Sequence, residues 1–228
     1  MLKGCATDGG AAQCEAVKKM LTKGFETVNA TLHADKGIDS SLSGTTAVAG
    51  LVFGPPGQRQ IITANAGDSR AVLAYEEGGV MKVTDLSDDQ KPDREDERKR
   101  VQSFGGRVEP LIDEVGEPIG PARVWLPNMM LPGLAMSRSI GDDIAATVGV
   151  HATPEVSVVP LTDKHKFMIV ASDGVWEFLT SEDAVGIVVN CNGNAEKAAA
   201  ELCARSYREW RAEEEVVDDI TAVVVYFT

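Results

Sequence analysis

Residues 166–178 read KFMIVASDGVWEF. The run from Lys166 to Ser172 is apolar enough for a strand packed into a core. Asp173 follows it at once. A carboxylate at the end of a core strand is costly unless something there needs its charge. The same context recurs twice: Asp68 follows ITANAG, and Asp218 precedes ITAVVVYF. One aspartate of this kind is an ordinary turn former. Three of them at the ends of apolar strands suggest a rim of carboxylate oxygens, which hard divalent cations prefer. Periodicity does not say whether the three converge.

Outward from that stretch, the remaining segments predict an α+β fold. Gly10 to about Ala34 carries apolar residues at three- and four-residue steps and predicts a helix. SSLSGTTAVAGLVF, RQIITANAG, SRAVLAYE and GGVMKVTDL predict strands joined by short turns such as GPPGQ and Gly67-Asp68. PDREDERKRVQSFGG places acids early and bases late, matching the dipole of a solvated surface helix. Residues 110–133 are rich in Pro and Gly and are expected to be a loop, and LAMSRSIGDD a short helix or turn. PEVSVVPL is a further strand. SEDAVGIVVN and NAEKAAAELCARSYREW predict helices, with Ser181 capping the first. Strands that come as hairpins imply antiparallel sheets with helices packed outside. With no repeat and no clear linker, residues 1–228 are expected to form a single domain.

The bulk composition narrows the function classes. The 228 residues are 43% hydrophobic and 25% charged, as in an ordinary globular protein. The net charge of −13 opposes binding to nucleic acid, whose phosphates are neutralised by Lys and Arg. The four cysteines form no CxxC pair, which points to a reducing compartment rather than a disulfide framework or zinc site. No apolar run is long enough for a bilayer, and MLKGCATDGG lacks the apolar core of a signal peptide. The expectation is an intracellular protein of the cytoplasm or nucleus, bound neither to membrane nor to nucleic acid.

SGTTAV, ANAGDSRAVL, KPDREDERKRVQSFGGRV, GLAMSRSIGD, PEVSVVPL, VASDGVWEFLTSEDAV and DDITAVVV occur in that order. Together they resemble the type 2C family of metal-dependent serine/threonine protein phosphatases, from about Ala12 to the C-terminus. The resemblance implies a sandwich of two antiparallel sheets flanked by helices. It also implies phosphomonoester hydrolysis in phosphoprotein substrates at a two-metal Mg²⁺ or Mn²⁺ centre, where water is activated for in-line attack. It makes Asp173 and Asp218 ligands of the main metal pair and Asp68 a ligand of a further, weaker metal. Glu177 stands where many members have an Asp near that weaker site. Residues 88–132 match the region called the flap.

Two earlier motifs of that family are not found. One supplies an acidic ligand and a phosphate-binding Arg, the other a Phe-Asp-Gly-His-Gly-Gly strand end with a bridging Asp and a His. Asp8-Gly9-Gly10 lacks the His and the apolar strand and is expected to lead into the first helix. His33, His151 and His165 do not match the family's His, so no catalytic residue is identified beyond the metal ligands. The N-terminal strands are thus expected to be missing, with a sheet edge left open to self-association. Arg138 and Asp142 are expected to make a structural salt bridge or hydrogen bond, and Trp125 and Trp176 to pack. The alternative to an enzyme is a non-catalytic phosphatase-like module that binds proteins, inactive without the upstream ligands.

Overall fold

The computed structural model describes the backbone of residues 8–227, with side chains from residue 12 onward. Helix α1 (Asp8–Ala34) leads into β1 (Gly44–Thr45), β2 (Ala47–Phe53), β3 (Gln60–Ala66), β4 (Arg70–Glu77) and β5 (Val80–Asp85). Asp8-Gly9-Gly10 is therefore the first turn of α1. Helix α2 (Glu95–Ser103) and strands β6 (Arg107–Ile112), β7 (Pro118–Trp125) and β8 (Pro132–Leu134) follow. Then come β9 (Ile140–Gly141), α3 (Asp143–Ala146), β10 (Glu155–Pro160), β11 (His165–Ala171) and α4 (Asp173–Trp176). Helices α5 (Ser181–Val189) and α6 (Ala195–Glu213) and strand β12 (Ala222–Tyr226) complete the described chain.

Two antiparallel sheets dominate, in the orders β10-β3-β2 and β12-β11-β4-β5. They pack face to face through Ile61 and Val159 of the first and Ala71, Leu73 and Met168 of the second. The opposite face of the second sheet offers Val72, Ala74, Phe167 and Ile169 to Val185 and Val188 of α5 and Leu202 of α6. Both faces of β4 and β11 are thus covered, which is why KFMIVAS reads as a continuous apolar run rather than an alternation. Helix α1 lies against β3 and β10 on the other side of the sandwich.

Three local expectations need correction. Residues 110–133 are not a loop: β6, β7 and β8 form a third antiparallel sheet. Its Val124 packs with Val101 of α2 and Ala145 and Val148 around α3. Within LAMSRSIGDD, β8 ends, β9 pairs with β1 and α3 begins. The cap of α5 is Thr180, not Ser181. The Thr180 hydroxyl accepts the Asp183 N–H while the Asp183 carboxylate accepts the Thr180 N–H, a reciprocal capping box. Ser181 instead donates its hydroxyl to Asp85 at 2.8 Å and ties α5 to β5.

Helix α2 also differs from its sequence reading. Glu97 and Val101, one turn apart, are both fully buried. The i,i+4 spacing of these two is the only signal of a buried face in an otherwise charged run. Among the described residues, no helix is long and apolar enough to cross a membrane.

Candidate metal centre

The sheet order β12-β11-β4 is what brings the three aspartates to one rim. In an antiparallel sheet, the start of β12, the end of β11 and the start of β4 share one end. Ala171 at the end of β11 pairs with both Arg70 and Ala222. Asp68 immediately precedes β4, Asp173 follows β11, and Asp218 lies on the approach to β12.

Asp68 stands in the tight turn between β3 and β4. Gly67 takes φ +114°, and a Cβ there would lie 2.4 Å from Thr46 Cγ2, so the turn requires glycine. Gln90, fully buried, clamps this turn: the Gly67 N–H donates to Gln90 Oε1 at 2.5 Å and the Gln90 N–H donates back to the Gly67 carbonyl. Asp68 itself is only 2% exposed. Its Oδ2 accepts from Lys91 Nζ at 2.6 Å, whereas its buried Oδ1 has no partner among the described residues. An orphaned carboxylate oxygen in that setting is costly.

Asp173 opens the single turn of α4, and the approach to β12 is sewn onto it. The Ser172 N–H donates to the Thr221 carbonyl, and its hydroxyl accepts from the Thr221 N–H and donates to the Asp219 carbonyl. Gly174 lets the two segments touch, since a Cβ would sit 2.3 Å from the Asp219 oxygen. Trp210 Nε1 of α6 donates to the Gly174 carbonyl at 2.8 Å. Asp218 is exposed and its Oδ1 accepts the Asp219 N–H at 2.7 Å. Glu177, also exposed, caps α4 one turn after Asp173.

These groups act on one another electrostatically. Burial raises the Asp173 carboxyl, and the charges of Asp68 and Asp218 raise it further, to about 6, against the opposing pull of Lys91 and the Gly174 N–H. Burial would lower the Lys91 ammonium, but Asp68, Asp89 and Glu177 hold it above its ordinary value. Asp68, Asp89, Asp173 and Glu177 thus all interact with Lys91, and Asp89 is paired with Arg70 as well. The oxygen-only donor set, the orphaned Asp68 oxygen and the mutual repulsion felt by Asp173 fit a hard divalent cation.

A second acidic group, Asp96, Glu97 and Glu155, has oxygens within 4.8 Å of one another. Its capacity is already spent on arginine. Arg100 contacts both Glu97 oxygens at 2.6 Å, Arg138 Nη2 bridges Glu97 and Glu155 at 2.7 and 2.8 Å, and Arg94 clasps Asp96. Arg138 therefore has the structural role expected of it, but its partners are Glu97 and Glu155 rather than Asp142. Asp142 sits in the left-handed region at φ 52° beside Gly44. Trp125 and Trp176 are buried, their indoles donating to the carbonyls of Glu109 and Ala171. His33 pairs with Asp143, and His165 accepts the Thr162 N–H. His151 is held neutral, its pKa lowered to about 4 by burial and by Arg100 and Arg138.

Sequence reasoning found the carboxylates but missed Gln90 and Lys91, which stand in a charged stretch that reads as solvated surface. Lys91 belongs to the KPDR segment, yet nothing in its spacing signals a partner in the turn between β3 and β4.

Fold and rim together define an α+β sandwich protein with carboxylates brought to one end of its second sheet. A sequence model of the family described as Protein phosphatase 2C matches residues 6–220, and the chain belongs to that family. It is 42% identical to a protein of Arabidopsis thaliana named probable protein phosphatase 2C 35, over 92% of this chain and 63% of that protein. It is 38% identical to probable protein phosphatase 2C 64 of Oryza sativa subsp. japonica, over 99% of this chain and 52% of that protein. The chain thus spans about half to two thirds of the length of these relatives. Among solved structures, a serine-threonine phosphatase 2C from Toxoplasma gondii superimposes with a TM-score of 0.82 at 21% identity, covering 99% of this chain and 72% of that one. A bacterial serine phosphatase gives 0.56 at 14% identity, over 98% and 72%. At these identities the superpositions establish the fold alone, the antiparallel sandwich with flanking helices.

Proposed function

We propose that this chain hydrolyses phosphoserine and phosphothreonine in proteins with the help of Mg²⁺ or Mn²⁺. The observation that carries the proposal is the gathering of Asp68, Asp173, Asp218 and Glu177 at one rim of a type 2C phosphatase fold. Asp173 and Asp218 would hold the principal cation, and Asp68 with Glu177 a weaker position beside it. A bound dication supplies Lewis acidity and a water of lowered pKa. The chain's own part is to fix the oxygens. Gly67 and Gln90 lock Asp68 in its turn, and Ser172 and Gly174 lock the Asp173 turn against the approach to Asp218. A single domain over residues 1–228, with 88–132 as a flap beside the site, and a place in the cytoplasm or nucleus belong to the same proposal.

The test is release of phosphate from a phosphothreonine peptide by this chain, with Mn²⁺ titrated in and Asp173→Ala as the control. Metal-dependent turnover that disappears in Asp173→Ala is the expected result. A folded chain that gives no turnover supports the non-catalytic module instead.

The open sandwich edge favours self-association as a further part of the proposal. Strands β2 and β12 are the outer strands of their sheets. Val52 pairs with Ile61, and Val223 and Val225 pair with Val170 and Met168, so all three point to the inner faces. They are nevertheless 39%, 52% and 37% exposed. Unpaired strand edges beside exposed apolar side chains template pairing with another chain. Light scattering at micromolar concentration is expected to give a mass above that of one chain, and a clean monomer overturns the idea.

A further inference from the structure

The ammonium of Lys91 is the one cation in contact with the carboxylate rim among the described residues, and its setting differs on its two sides. Its backbone is held firmly. The preceding Gln90 is fully buried, bonded to both the N–H and the carbonyl of Gly67, and its carbonyl accepts from the N–H and hydroxyl of Ser137. The Lys91 side chain is not so enclosed. It is 33% exposed, while the Asp68 side chain it reaches is 2% exposed. The four-carbon arm therefore enters from the solvent side and covers Oδ2 of Asp68, leaving the buried Oδ1 without a donor.

We infer that Lys91 is a built-in, displaceable counter-ion for Asp68, which a divalent cation must expel to use that carboxylate. This rests on the reading of the rim as a divalent-cation site. An ammonium and a dication on the same carboxylate repel each other, so the lysine lowers the affinity of the Asp68 position. It does so without occupying Asp218, whose Oδ1 accepts the Asp219 N–H. The two ends of the rim thereby acquire different affinities from one side chain. In the absence of metal, the same lysine offsets part of the repulsion among Asp68, Asp173 and Glu177. A lysine suits the role because its charge is a single point on a flexible stem. Arginine would grip the carboxylate with two parallel hydrogen bonds.

The test is titration of Mn²⁺ into this chain, with free Mn²⁺ read by electron paramagnetic resonance, in the wild type, Lys91→Met, Lys91→Arg and the double variant Lys91→Met/Asp68→Asn. Lys91→Met is expected to bind Mn²⁺ roughly tenfold tighter at the weaker position. That gain should vanish in the double variant. Lys91→Arg is expected to bind several-fold more weakly than wild type, so the inference stays testable if the Met variant fails to fold. If the wild type binds Mn²⁺ but Lys91→Met binds no tighter, or Lys91→Arg no weaker, the counter-ion role falls while the cation site stands. If no folded variant binds Mn²⁺, both fall together.

Discussion

Replacing Glu97 by alanine is expected to lower stability by roughly 3–5 kcal/mol, the cost of leaving buried charges without their partner. Glu97 is fully buried and takes hydrogen bonds from Arg100, Arg138 and the Ser137 hydroxyl. Burial alone would raise its carboxyl, yet these partners bring it down to about 2 from an ordinary 4.5. The folded-state pKa is depressed, so the stabilisation is present above about 4.5 and is lost as pH falls toward about 2. Without Glu97, the buried Arg138 keeps only Glu155 as a counter-charge, and α2 loses its tie to the chain around Ser137. For a chain of this size the melting temperature should fall by roughly 10 °C. A thermal melt of Glu97→Ala within 2 °C of wild type, followed by circular dichroism, contradicts this role for the network (threshold of about 2 °C, near 1 kcal/mol).

Asp173→Asn is expected to act in the opposite direction on the metal-free protein. The Asp173 carboxyl is raised from 3.8 to about 6 by burial and by the charges of Asp68 and Asp218. The folded chain thus holds this proton more tightly than the unfolded one. The resulting stability is full below about 3.8 and is lost as pH rises through about 6. Above that, an ionised Asp173 opposes folding. The full shift corresponds to about 3 kcal/mol. Solvent reaching this partly exposed carboxylate reduces the net effect to about 1–2 kcal/mol. Asparagine keeps the shape and removes the charge, so the metal-free variant should melt about 3–6 °C higher at pH 7. Its stability should also change less than that of the wild type between pH 4 and pH 7 (roughly the interval spanned by the two pKa values). Residues that destabilise a fold while serving a site show this trade-off.

Much of this was legible in the residues. Apolar runs ending in Asp68 and Asp173, and one beginning after Asp218, marked both the strands and the carboxylates. Their convergence was not legible, because it depends on β11 lying between β4 and β12, and pairing partners leave no local trace. The sheet of β6, β7 and β8 was hidden for another reason. Pro118, Gly120 and Pro121 in β7, and Pro132 and Gly133 in β8, are residues that usually break strands. Ser181 and Thr180 are adjacent hydroxyls, and only the backbone geometry decides which one caps α5. Glu97, Gln90 and Lys91 escaped notice because a charged stretch reads as solvated, and their partners across the fold, Arg138, Gly67 and Asp68 respectively, are distant in sequence.

The most direct measurement is the melting temperature of wild type and Asp173→Asn with Mn²⁺ titrated from none to saturation. A cation held by Asp173, Asp218 and Asp68 predicts a wild-type rise that keeps growing with concentration, about 2.7 kcal/mol at a hundredfold excess over the dissociation constant. It predicts little or no rise for Asp173→Asn, so the order of the two melting temperatures reverses as metal is added. Equal rises in both proteins would place the cation elsewhere, and no rise in either would mean that the rim does not bind it.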